Sequence, residues 1–194
     1  MDAALLDGAG GGPVVVAALA GAPGREYDTA TANGVRHFAA LGADASGAPD
    51  ARTDPQGALA AIGGAQLVVL PGGSPARLLD VLLTTGLDEP LRRHVHAGRV
   101  LMGASAGAMV LCEHTVLPGS SARIVEGLGL VPGCLVVPHY RGNTDWPVPA
   151  GVTVLGLPEC AGLLIEGPTA TAAGSAPSTV GGRSVAVGET VALP

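Results

Sequence analysis

Three short runs dominated by apolar residues, at 14–19, 66–70 and 99–102, each break off into a glycine-bearing turn and then into a stretch that reads as a helix. A strand apolar at successive positions is one buried on both faces, as happens when helices cover a parallel sheet from either side. After the first run, Gly21-Ala22-Pro23-Gly24 leads into a helix expected from about residue 25 to residue 41, with Tyr27, Ala30, Phe38 and Leu41 along one face. Asp54-Pro55 supplies an N-cap and a first-turn proline for a second helix, striped by Ala58, Leu59 and Ile62 and stopped at Gly63-Gly64. Ser74-Pro75 does the same for a third, carrying Leu78, Leu79 and Leu82, and Asp88-Glu89-Pro90 opens a fourth that Gly98 closes. A strand is due between the first two helices, but residues 44–54 are rich in Ala, Gly and Asp and read mostly as loop. Strand and helix in regular alternation predict an α/β fold, a doubly wound, mostly parallel sheet between helical layers, with functional loops at the carboxyl ends of the strands.

At 194 residues the chain is long enough to bury a core without staples, and a single domain over residues 1–194 is expected. Aromatic residues are only 2% against 47% apolar, so small and branched aliphatics must build that core. The formal charge is −6 and every basic residue is an arginine, which argues against nucleic acid or an anionic membrane as partner. Cys112, Cys134 and Cys160 are odd in number and not closely spaced, which suggests neither a disulfide framework nor a cysteine zinc site and makes a reducing cytoplasm the default. Residues 13–20 have the length of a signal-peptide apolar region, yet Asp2 and Asp7 stand where such a signal is positive, so the run reads as the first buried strand. Residues 1–12 are expected to be flexible. Beyond residue 111, short strands are expected at 135–138, 152–157 and 163–165. Residues 168–194, with β-like runs at Ala186-Val187 and Val191-Ala192-Leu193, read as closing hairpins, disorder of part of 173–182 being the rival.

The turn after the third apolar run is Gly103-Ala104-Ser105-Ala106-Gly107, a G-x-S-x-G sequence between a strand and a helix start. Such an elbow thrusts a serine outward as a nucleophile, and its glycines suit a reversal that leaves no room for Cβ atoms. A serine needs a base within hydrogen-bond reach and a third group to orient that base. Of five histidines, His37 falls in the first helix, His94 and His96 in another, and His114 after the serine helix; His139 ends an apolar strand, where a doubly wound sheet presents catalytic side chains. His94 and His96 make a poor metal pair, since helix residues two apart face different ways. For the orienting acid, Glu159 stands among apolar residues, where a carboxylate needs a partner; Asp145 and Glu166 are the alternatives, both reading more naturally as solvated charges. Gly72-Gly73, at the end of the second apolar run, is placed to bring a backbone N–H to an oxyanion opposite that of Ala106. The rival for this turn, a phosphate cradle, lacks a Walker lysine and a G-x-G-x-x-G, so no cofactor or metal is expected.

The order Ser105, His139, Glu159 is not the Ser, Asp, His order of the α/β-hydrolases. It resembles instead the peptidase E and cyanophycinase family of serine peptidases, whose fold is related to class I glutamine amidotransferases. The resemblance runs from about residue 14 to residue 165. It is carried by Leu70-Pro71-Gly72-Gly73-Ser74 with Leu78-Leu79, by the serine elbow, by Gly127-Leu128-Gly129-Leu130 through Val137-Pro138-His139-Tyr140, and by Gly156-Leu157-Pro158-Glu159 with Leu163-Leu164-Ile165. It implies a flavodoxin-like αβα sandwich, Ser105 as nucleophile, His139 as base, Glu159 as its orienting acid, and the amides of Gly73 and Ala106 at the oxyanion. It further implies an exopeptidase that cleaves a small aspartate-containing peptide or isopeptide through an acyl-enzyme; Arg141, which closely follows His139, is a candidate for the substrate carboxylate, and a monomer or homodimer is expected. Two departures stand out: Pro158 replaces the aspartate common before the glutamate, and the segment 140–146 is short, with one arginine. They favour the alternative, a non-catalytic amidotransferase-like domain that binds a small molecule or a protein partner.

Overall fold

The apolar runs are strands of a parallel sheet. The computed structural model describes residues 2–119, 122–144 and 146–194, and the chain divides into two compact units, residues 2–110 and 111–194. The first unit runs α1 (Asp2–Gly8), β1 (Val14–Val16), α2 (Arg25–Ala40), β2 (Ala45–Gly47), α3 (Pro55–Gly64), β3 (Leu67–Leu70), α4 (Pro75–Thr85), α5 (Asp88–His96) and β4 (Val100–Gly103), and ends in α6 (Ala106–Leu111). Its strands lie side by side in the order β2-β1-β3-β4, every pairing parallel. Val14, Val16, Leu67 and Val69 pack on one face with Phe38 of α2 and with Leu5 and Leu6 of α1. Val15 and Val68, turned to the opposite face by the alternation of a strand, are buried as well. The fold is thus α/β, with a mostly parallel sheet and flanking helices.

Local chemistry sets the helix starts. Asp54 Oδ1 accepts from the Gly57 N–H at 2.8 Å and Ser74 Oγ from the Arg77 N–H at 3.2 Å, each followed by its first-turn proline. Three expectations need correction. Leu41 is 45% exposed, because α2 ends at Ala40 and Leu41 is its cap. Leu59 likewise turns outward, leaving Ala58 and Ile62 to bury the inner face of α3. Within the amino-terminal segment expected to be flexible, α1 forms and packs through its leucines, with Asp2 Oδ2 held by His37 Nε2 at 2.8 Å. The poorly written second strand exists as the edge strand β2, whose register sets Ala45, Ser46 and Gly47 against Val14, Val15 and Val16.

His94 is a core residue of α5, 4% exposed, with Nε2 bonded to the Val100 carbonyl at 2.9 Å; His96 is exposed. Burial depresses the His94 pKa, the bond to Val100 opposes this, and the Arg99 charge adds to the depression. A histidine whose folded pKa lies below its unfolded value takes up a proton more readily in the unfolded chain. Its contribution is therefore complete above about pH 6.5, the unfolded value, and is lost as pH falls from there toward the folded pKa. Thermal unfolding between pH 7.5 and pH 5 should show a falling midpoint, with a shallower fall in His94→Gln.

The second unit consists mainly of strands: β5 (Cys112–Leu117), β6 (Arg123–Glu126), β7 (Val131–Pro138), β8 (Thr153–Leu157), β9 (Ala161–Glu166), β10 (Thr169–Gly174), β11 (Ser178–Val180), β12 (Arg183–Val185) and β13 (Thr190–Ala192). Six form a mixed sheet in the order β12-β11-β8-β7-β5-β6, parallel across β5-β7 and β7-β8; β13-β10-β9 form an antiparallel sheet. The tail is therefore built into strands: β10 and β11 draw on residues 173–182, the stretch offered as disordered, while Val187 lies exposed between β12 and β13. The helix after the serine elbow is short: α6 stops at Leu111 and Cys112 begins β5, its thiol buried and its pKa pushed up by that burial. All three cysteines are free. No helix among the described residues is long and apolar enough to cross a membrane.

Candidate active site

Register explains what each unit presents at the ends of its strands. In the first unit Leu70 pairs with Gly103 across β3 and β4, so two residues further on Gly72 lies beside Ser105. The approach is close: a Cβ on Gly72 would lie 3.2 Å from Ser105 Cβ. Ser105 has a φ of 50°, a left-handed value that a residue with a side chain adopts reluctantly, and one expected of a sharp elbow. The flanking glycines make the bend possible. A Cβ on Gly103 would meet the Ala108 nitrogen at 2.5 Å, and one on Gly107 the Leu70 carbonyl oxygen at 2.0 Å. Gly73, with φ 145°, rests against Ala20, whose carbonyl oxygen a Cβ would meet at 2.6 Å. Ala106, the first residue of α6, is buried.

In the second unit β7 and β8 are parallel with Pro138 opposite Leu157, so the residues just beyond their ends emerge side by side. His139 Nδ1 meets Glu159 Oε1 at 2.5 Å. That bond makes Nδ1 the proton-bearing nitrogen and Nε2 the basic one, the tautomer a general base needs. The pair is open to solvent, with side chains 61% and 78% exposed. Burial therefore does not force Glu159 to find a partner, as its apolar neighbours suggest; strand register does. Sharp backbone turns hold both residues: His139 has φ 53°, and Cys160, next to Glu159, has φ 60°. The Ala161 N–H donates to the Pro158 carbonyl at 3.2 Å and closes the turn that carries Glu159, so the proline that departs from the family pattern sits within a turn that still delivers the carboxylate to His139.

Tyr140 anchors the histidine and is not evident in the sequence. Its N–H donates to the Leu157 carbonyl at 3.1 Å, and its ring lies so close over Gly156 that a Cβ there would be 2.4 Å from it. The one signal available beforehand is a glycine inside a strand, the mark of a close approach. Arg141 is exposed, two residues past His139. Of the alternatives for the acid, Glu166 is exposed at the end of β9, and Asp145 lies outside the described residues. No group of three or more His, Cys, Asp or Glu is placed to hold a metal among the described residues.

Residues 19–169 match the model of peptidase family S51. The chain belongs to that family. Among its relatives is peptidase E of Streptomyces coelicolor, 34% identical over 168 residues, which cover 77% of this chain and 67% of that one. A shorter similarity, 40% over 73 residues, links 37% of the chain to 32% of the imidazole glycerol phosphate synthase subunit HisH of Nitratidesulfovibrio vulgaris, in keeping with an amidotransferase-like fold; the chain thus spans about a third of that relative's length. In fold it is similar to a peptidase from an acI-B1 Actinobacterium, with a TM-score of 0.82 at 22% identity over 99% of this chain and 89% of that one. The match to the S51 model takes in Gly73, Ser105, Ala106, His139, Arg141 and Glu159.

Proposed function

We propose that the protein is a serine peptidase in which Ser105 is the nucleophile, His139 the general base and Glu159 the acid that orients it. The observation that carries this reading is the 2.5 Å bond from His139 Nδ1 to Glu159 Oε1, in a family S51 chain whose Ser105 stands on a strained elbow. In the proposed cycle His139 takes the Ser105 proton as Oγ attacks the peptide carbonyl, and the N–H groups of Gly73 and Ala106 receive the oxyanion. The imidazolium returns its proton to the departing amine, and water hydrolyses the acyl-enzyme by the same proton path in reverse. The substrate is a small peptide or isopeptide containing aspartate, cleaved in the cytoplasm without metal or cofactor, and Arg141 is the candidate cation for its carboxylate.

Incubation with a fluorophosphonate and mapping of the adduct by mass spectrometry test the reading. A single adduct on Ser105 supports it, and a folded protein that takes up no label refutes it. A panel of Asp-X and β-aspartyl dipeptides, assayed for released amine, tests the substrate class. Glu159→Gln bears on the acid. The amide lacks the charge that stabilises imidazolium and can present its NH2 to Nδ1, which selects the wrong tautomer. A fall in kcat of about 100-fold with KM little changed is expected.

A further inference from the structure

The turn that carries Gly73 does not stand alone at the carboxyl end of β3. It leans on the loop after β1, and two arginines grip that loop at consecutive carbonyls. Arg77 Nη1 donates to the Ala20 carbonyl at 2.8 Å, and Arg52 Nη1 donates to the Gly21 carbonyl at 2.8 Å. The same Ala20 oxygen accepts the Ser74 N–H at 3.0 Å, and Gly73 packs directly on it. Arg77 also anchors the turn from the other side, since its backbone N–H is the one that Ser74 Oγ caps. Glu26 keeps the guanidinium in place: Oε2 accepts the Ala22 N–H at 2.5 Å and faces Arg77 Nη1 at 3.6 Å. Arg52 is more deeply set, 17% exposed, with Nε on Asp50 at 2.8 Å and the guanidinium over the Tyr27 ring. It braces the loop, whereas Arg77, 39% exposed, touches the carbonyl that accepts the Ser74 N–H of the Gly72-Gly73-Ser74 turn.

We infer that Arg77 is a positioning residue for the oxyanion turn: by holding the Ala20 carbonyl it fixes the Gly73–Ser74 peptide whose N–H that carbonyl accepts, and through the Gly73 Cα packed on it limits how the preceding Gly73 N–H can turn, next to a Gly72 that lies against Ser105. The inference rests on the serine-peptidase reading above. An N–H donor matters to a developing oxyanion only if it is aimed before the charge appears, so a loosened support costs rate and not ground-state binding. Arg77 makes no contact with a substrate in this role.

The test is the kinetics of fluorophosphonate labelling, resolved into the maximal rate and the half-saturating concentration, in the full-length wild type, Arg77→Met and Arg77→Lys. Labelling builds negative charge on the phosphoryl oxygen and so draws on the same donors. Arg77→Met should lower the maximal rate by roughly 10-fold to 100-fold, less than the roughly 100-fold to 1,000-fold of losing an oxyanion donor outright, with the half-saturating concentration and melting temperature little changed. Arg77→Lys, which can still donate to the Ala20 carbonyl, should recover most of the rate. A wild-type rate in Arg77→Met overturns the inference, and so does a loss that Arg77→Lys fails to recover. Absence of label on the wild type refutes the serine-peptidase reading itself and this inference with it; a labelled wild type with an indifferent Arg77 refutes the inference alone.

Discussion

Replacing Ser105 with alanine should abolish fluorophosphonate labelling and lower peptide hydrolysis by about 10,000-fold or more, while leaving the melting temperature within a degree or two of the wild type. Separation of the two effects is built into the elbow. Ser105 has a left-handed φ of 50°, and Gly72 lies against its Cβ. Alanine carries the same Cβ and meets the same backbone strain, so the change removes Oγ and little else. His139→Ala should be nearly as damaging to hydrolysis. The double variant Ser105→Ala with His139→Ala should be no worse than either single one, because residues that act as one unit lose their joint function at the first deletion. Losses that multiply would mean that the two residues act separately, and the proposed mechanism would fall.

Features governed by neighbours in the chain were legible before the fold was known. Asp54 and Ser74 cap their helices as their positions predict, since a cap needs only a side-chain oxygen three residues before an N–H. The pairing of His139 with Glu159 was legible through the strand end at His139 and the family resemblance, and the register of β7 on β8 supplies its cause. Expectations failed where a pattern serves two structures equally. Met109-Val110-Leu111-Cys112 suits a buried helix or a buried strand, and the chain changes from one to the other at Cys112. Ala45-Ser46-Gly47 lacks every mark of a strand, and pairing with β1 makes it one. Apolar neighbours suggested a buried Glu159, but they pack through β8 and β9 while the turn between those strands lifts the carboxylate into solvent. Arg77 gave no local sign at all, because its partner Ala20 is 57 residues away along the chain.

Gly107→Ala should be a severely damaging single-methyl change, destabilising the protein by about 3 kcal/mol or more and leaving little soluble enzyme at 37 °C. The added Cβ would lie 2.0 Å from the Leu70 carbonyl oxygen, 2.9 Å from its carbon and 3.1 Å from Leu70 Cβ, all parts of a buried strand. No flexible side chain is available to yield. Nor can the carbonyl move alone, since it accepts the Ala104 N–H at 3.0 Å, so relief of the clash breaks a hydrogen bond that holds the elbow to β3. A buried donor and acceptor left unmatched add their own cost to the steric one. Gly63→Ala is the matched control: that position lies in α3 with no atom within 4 Å of the new methyl and no positive φ, so helix propensity alone decides and a gain of a few tenths to about 1 kcal/mol is expected. Urea unfolding of the two variants, read at equal slope, should displace the midpoint in opposite directions. If Gly107→Ala unfolds at the wild-type urea concentration, the close seat of the serine elbow on β3 is not a source of stability, and Gly107 serves only to shape the turn.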